Sequence, residues 1–310
     1  MGSLAVRRGY ALGKRYYKLC GVYGQPMRVA HDLLSSVGFL GTGSPDDFIP
    51  KGTAFLLAHG GMLYLVTAKH VAEHLTDCPF SIRFNKLDGG SGLLPIDLVE
   101  NSNSLFKWFF HNSSSVDIAI IPFPWDASSQ GVHAVALRSD AAVPKTSPPV
   151  RDVGCGDMCH VIGLFTVHPG KSRNVAVVHT GHVAAMADTR ELINVGVNGG
   201  IRELEGYLIE LTNQPGLSGA PVFVRGGVEL DMPIDKSSAV TTITAYKPEL
   251  RLLGVWSASW DEPRHNAHDR VPVGMGVVTP AYRVLELLDS DDAVQNRLSW
   301  KSWFNTAHLD

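Results

Sequence analysis

Short apolar runs closed off by glycine, serine, asparagine or proline recur along most of this chain, while the three-and-four spacing of an amphipathic helix is scarce. The runs Thr53–Ala58, Met62–Ala68, Phe80–Phe84, Asp117–Phe123, Val132–Leu137, Met158–Leu164, Val175–His179, His182–Met186, Gly206–Leu211, Pro221–Val224, Leu252–Ser257 and Met275–Val278 are rich in Val, Ile, Leu, Phe and Thr. Such residues fit a pleated, half-buried surface, and many short strands separated by turn residues predict an all-β sandwich or barrel. Helical spacing is confined to the C-terminal end. There Ala281 to Leu288 follows Pro280, and Ser290 or Asp291 is placed to cap a second helix reaching about Phe304.

Proline marks the internal break. Pro144, Pro148 and Pro149 fall within Ser139 to Arg151, where the missing N–H interrupts any ladder. The expected organisation is a basic N-terminal extension (1–45), a first β unit (46–138), a linker (139–151), a second β unit (152–279) and a C-terminal helical segment (280–310). Arg225 to Ser238 reads as a long surface loop.

Charge excludes some partners. With 310 residues, 18% charged, and a net charge of -3, the chain as a whole is not a polyanion binder, and no nucleic-acid partner is expected. Arg7, Arg8, Lys14, Arg15, Lys18 and Arg28 all precede the first acid, Asp32; such a start suits a transit peptide, a nucleic-acid arm or a membrane-surface segment, and a plain solvated leader is the preferred reading. The residues after Arg7-Arg8 are too charged for a secretory signal, and Val6 occupies the Ser/Thr position of a myristoylation pattern. The longest apolar runs are strand-sized, so no transmembrane segment is expected. Four cysteines (Cys20, Cys78, Cys155, Cys159) make no disulfide framework for this length, which favours a reducing, intracellular compartment.

Three strings carry the chemistry: Thr67-Ala68-Lys69-His70-Val71, Val116-Asp117-Ile118-Ala119, and Pro215-Gly216-Leu217-Ser218-Gly219-Ala220-Pro221. His70 ends an apolar run, which would mount an imidazole on a rigid frame at the edge of a core. Asp117 abuts a run suited to burial, where a carboxylate needs a compensating partner. Ser218 lies in a glycine-rich turn whose amides can converge on one point, with the Gly216 and Ser218 N–H groups as oxyanion donors. A seryl hydroxyl needs an imidazole to take its proton and a buried carboxylate to hold that imidazole. Each string alone also suits a plain strand end, an edge acid or a hairpin turn. Their conjunction, with Asp117 following His70 by 47 positions and Ser218 following Asp117 by 101, points to a serine hydrolase.

With those strings the chain resembles the trypsin-like (chymotrypsin-fold) serine peptidases, most closely the HtrA-related prokaryotic-type branch. Gly52-Thr53-Ala54-Phe55, Val66 to His70, Gly156-Asp157 through Gly163, Thr180-Gly181-His182-Val183, the Ser218 string, Gly254-Val255-Trp256-Ser257 and Gly274 to Pro280 match family segments in order, across about residues 51–288. The resemblance implies two six-stranded antiparallel β-barrels with a C-terminal helix. It also implies an endopeptidase acting through His70, Asp117 and Ser218 without cofactor or metal, and a protein or peptide substrate. It places Thr212, Asn213, Trp256, Ser257, Ser259 and Gly276 around the primary substrate pocket. Thr212 stands where trypsin carries an acid, which disfavours basic P1 residues, and bulky Trp256 suggests a small or medium uncharged one.

The chain departs from the pattern in places. Val71 replaces a cysteine of the secreted animal members, Leu217 replaces the aspartate used in zymogen activation, and no PDZ module is expected after Leu288. Two rivals share the fold: a catalytically silent peptide-binding or scaffold protein, and an acyl hydrolase of esters. His265 and His268 with Asp261, Glu262 and Asp269 have the composition of a solvated loop, and no metal is expected there. Self-cleavage near the basic extension is a further expectation, motivated by the break in composition between it and the β-rich chain beyond. Sequence says nothing of oligomeric state.

Overall fold

The computed structural model describes residues 5–11, 14–20, 29, 31–96, 98, 105–123, 131–145, 153–165, 168–170, 172–197, 200–211, 216–233, 242–263 and 270–307. The basic stretch forms an antiparallel hairpin, β1 (Ala5–Ala11) with β2 (Lys14–Cys20), followed by a short helix α1 (His31–Leu34).

The first half is one sheet: β3 (Val37–Thr42), β4 (Ile49–His59), β5 (Met62–Thr67), β6 (Phe80–Asn85), β7 (Ser91–Ile96), β8 (Phe109–Phe110), β9 (Ala119–Pro122) and β10 (Leu137–Arg138). Its order is β7-β6-β3-β4-β5-β9-β8, with β10 added in parallel to β4. The expected first barrel is therefore an open eight-stranded sheet. Its two edges are poor partners for each other, because β8 offers only two residues and β7 carries Pro95, which has no N–H to donate. Side chains draw the edges together instead. Phe80 on β6 stacks on Trp108, just before β8, at 5.6 Å between ring centroids. Leu94, Ile96 and Phe106 share one core with Leu56, Leu65 and Ile121.

The second half meets the expectation. β11 (Met158–Leu164), β12 (Ala176–Ala185), β15 (Tyr207–Glu210), β16 (Pro221–Pro233), β17 (Thr242–Pro263) and β18 (Arg270–Pro280) close into an antiparallel barrel, ordered β11-β12-β15-β18-β17-β16. A hairpin, β13 (Ile193–Val197) with β14 (Gly200–Leu204), is inserted between β12 and β15. The stretch from Arg225, expected as a loop, instead extends β16. Its register with β17 runs unbroken from Arg225 opposite Leu250 to Pro233 opposite Thr242, so backbone pairing rather than hydrophobic patterning keeps it extended.

The C-terminal segment folds as α3 (Ala281–Leu288) and α4 (Asp291–Ala307). Ser290 caps α4 by accepting from the Ala293 amide at 3.4 Å while donating to the Leu287 carbonyl at 2.8 Å. Ala281, Val284, Leu287 and Leu288 enter a core shared by Phe39, Phe55 and Tyr64 of the sheet and Ile162, Phe223 and Val255 of the barrel. Each large apolar side chain buried there contributes about 1.5–3 kcal/mol, more than intrinsic propensity gives a two-turn helix. That core joins the halves beside the candidate site. Among the described residues, no helix is long and apolar enough to cross a membrane.

Candidate active site

β5 and β9 pair antiparallel with Thr67 opposite Ala119, so the residues just past Thr67 and just before Ala119 meet at one end of the sheet. Those residues are His70 and Asp117. After β5 the chain turns at Ala68 into a short helix α2 (Lys69–Glu73), whose buried Val71 and Ala72 anchor it and leave the His70 side chain about one-third exposed. Asp117 lies between buried Val116 and Ile118 and is wholly inaccessible to solvent.

The two side chains are directly bonded. His70 Nδ1 lies 2.7 Å from Asp117 Oδ2, and the His70 backbone N–H donates to Oδ1 at 3.1 Å. Oδ1 also accepts from Arg202 Nη2 at 3.2 Å. Burial pushes the Asp117 carboxyl up, but the hydrogen bond and charge of His70 and the charge of Arg202 outweigh it and hold the carboxyl below its ordinary range.

The Ser218 turn packs on the same frame through its backbone. The Thr53 amide donates to the Ser218 carbonyl at 2.9 Å, and the Thr53 hydroxyl donates to the Gly216 carbonyl at 2.8 Å. The same hydroxyl accepts from the Leu164 amide at 3.2 Å, so one threonine of the sheet binds both the turn and the barrel. Gly219, at φ +85°, sits against Thr53 and Thr67 so closely that a Cβ would overlap the Thr53 carbonyl oxygen and the Thr67 hydroxyl. Gly216 is also left-handed, at φ 101°. Among the described residues, the Gly216 and Ser218 amides have no hydrogen-bond acceptor, and no hydrogen bond joins Ser218 Oγ to His70. In unliganded sites such contacts are often long and tighten with substrate.

The predicted pocket residues divide. Trp256 is locked to the turn by two backbone bonds, its N–H to the Ala220 carbonyl at 2.9 Å and its carbonyl from the Gly219 amide at 2.8 Å. Its indole is buried in the barrel core and lies on Gly276, where a Cβ would fall inside the ring. Ser257 points inward, with Oγ 2.5 Å from Thr279 Oγ1. Ser259 is half-buried and pairs with Gly276. Thr212 and Asn213 lie outside the described residues, as do His265, His268 and Asp269. Cys159 is a core thiol whose pKa burial pushes up to about 12, so it is unsuited to nucleophilic work.

Sequence reasoning did not single out Arg202 or the site role of Thr53. An arginine in a short polar hairpin carries no local signal of its partner 85 residues away. Thr53 had one available sign, a polar residue at the start of an apolar strand.

No protein-family model matches the chain, and no curated protein matches it in sequence. Among solved structures it is similar to the inactive form of a serine-to-alanine mutant of Rv3671c from M. tuberculosis, with 17% identity, a TM-score of 0.40, and 83% of this chain and 87% of that one covered. It is also similar to a structure reported with the coupled folding and binding of the intrinsically disordered Sesbania mosaic virus VPg protein. That match has 12% identity, a TM-score of 0.39, and covers 79% of this chain and 85% of that one.

Proposed function

We propose that the protein is a serine endopeptidase, working through an acyl-enzyme formed on Ser218. His70 takes the Ser218 proton and returns it to the leaving amine, Asp117 orients His70 and balances the imidazolium, and the Gly216 and Ser218 amides hold the oxyanion. The observation that carries this reading is the wholly buried Asp117 carboxylate bonded to both the ring and the backbone N–H of His70. A desolvated carboxylate is costly without such partners, and this one fixes the imidazole from two sides.

The division into a His/Asp-bearing first unit, which starts at β3 (Val37–Thr42) rather than at the expected residue 46, and a Ser-bearing second unit (152–279) belongs to the same reading, as does the affinity with the HtrA-related branch. Trp256, which the resemblance places at the primary pocket, is read with a small or medium uncharged P1 residue. A protein or peptide is the substrate, and no cofactor takes part.

A second reading, a silent peptide-binding protein on the same frame, is favoured by the absence of a Ser218–His70 hydrogen bond. Turnover separates the two. Purified protein is assayed on a peptide panel varied at P1 beside a simple ester, with Ser218→Ala and His70→Ala as controls. Peptide cleavage lost in both variants supports the endopeptidase, ester cleavage alone supports an acyl hydrolase, and binding without turnover supports the silent protein.

A further inference from the structure

The third donor to Asp117 comes from an element that the His70–Asp117 contact does not require. The β13–β14 hairpin buries Val195 and Leu204 against Val277 of the barrel. Arg202 is opposite Val195 in register and two residues from Leu204, so it shares their inward face. The base of the hairpin is fixed beside the acid. The Glu205 amide donates to the Ser115 carbonyl at 2.9 Å, two residues before Asp117. The Glu205 carboxylate accepts from Arg283 Nη2 at 2.6 Å and Tyr282 OH at 2.6 Å, both on α3. Hairpin, acid loop and C-terminal helix thus form one bonded chain ending at the carboxylate.

We propose that Arg202 is a positioning residue for the His70–Asp117 pair, and that the β13–β14 hairpin is thereby part of the active centre. This rests on the serine-hydrolase reading. While His70 is neutral, Arg202 is the cation facing a carboxylate that has no access to water. It occupies Oδ1 from the side and leaves Oδ2 to the ring N–H. Among the described residues, the charged or titratable groups facing Asp117 are His70 from α2 and Arg202 from β14, and the flanking Val116 and Ile118 are apolar. With the guanidinium present, the buried carboxylate is balanced by a fixed cation 3.2 Å away. Without it the pair binds a proton more readily.

The test compares wild type, Arg202→Gln and Arg202→Lys by two readouts. One is the pH dependence of fluorophosphonate labelling at Ser218. The other is the protonation midpoint of the His70 ring by proton NMR, repeated in a Ser218→Ala background where activity plays no part. Urea midpoints verify folding. Arg202→Gln is expected to move both the acid limb and the NMR midpoint upward by about one pH unit, while Arg202→Lys stays near wild type. A purely structural role would lower the urea midpoint and leave the proton midpoint in place. An unchanged proton midpoint in folded Arg202→Gln overturns the proposal, and so does a displaced one in Arg202→Lys if the glutamine variant does not fold. Wild type that never labels, with a midpoint still displaced in Arg202→Gln, removes the hydrolase reading and supports the Arg202 contact.

Discussion

Thr53 and Ser218 are joined backbone to backbone at 2.9 Å across the two halves of the molecule, and the Thr53 hydroxyl binds Gly216 two residues earlier in the same turn. Thr53→Val keeps the shape and removes the hydroxyl, leaving the Gly216 carbonyl and the Leu164 amide without it. The expected cost is about 1–3 kcal/mol in urea denaturation, with slower labelling at Ser218. Thr53→Ser, which loses only a methyl group, should retain the labelling rate.

Gly219 sets the shape of the turn from the other side. Gly219→Ala places a Cβ in a left-handed position, at about 1–2 kcal/mol, and drives it into Thr53 and Thr67. Labelling at Ser218 should be abolished while circular dichroism still reports a folded barrel. Unchanged labelling would mean that the reactive turn does not depend on this approach.

On the proposed P1 preference, Trp256 is the residue to vary. With the indole limiting the primary pocket as proposed, wild type cleaves best after small or medium uncharged residues. Trp256→Ala should then gain on leucine or phenylalanine at P1 by about tenfold or more relative to alanine. Emptying so large a side chain also costs about 3–5 kcal/mol, so the ratio between substrates, rather than absolute rate, is the measurement.

How much of this was legible in the sequence depends on the range of the cause. His70 and Asp117 were legible because each sits at the end of a run patterned for burial, and pairing of those runs brings them together. The runs from Met158 to Val278 indicate a sandwich or a barrel, and closure into a barrel is what the family resemblance implies. The open first sheet was not legible, since closure depends on edges such as Pro95 and the two-residue β8, whose pairing no local pattern specifies. β13 and β14 were missed because Asn194, Gly196, Arg202 and Glu203 dilute the alternation, although Val195 and Leu204 hold the hairpin to the barrel. Arg202 and Glu205 acquire meaning only once Ser115, Asp117 and Arg283 are beside them.

The depressed Asp117 carboxyl makes stability depend on pH in a definite sense. A carboxyl held lower in the folded than in the unfolded chain stabilises fully above the ordinary aspartate range, and that contribution is lost as pH falls through the folded value. Asp117→Asn should therefore lower the urea midpoint relative to wild type at about pH 7, and the gap should narrow towards about pH 3. A gap that is the same at both values would show that Asp117 contributes through packing alone.

On the proposed function, Ser218 is an activated nucleophile served by His70 and Asp117. The most direct measurement is labelling of the purified full chain with a fluorophosphonate, mapping the adduct by peptide mass spectrometry in wild type, Ser218→Ala and His70→Ala. A single adduct on Ser218 in wild type and none in either variant is expected. A folded wild type that stays unlabelled, or an adduct that survives in Ser218→Ala, would contradict it.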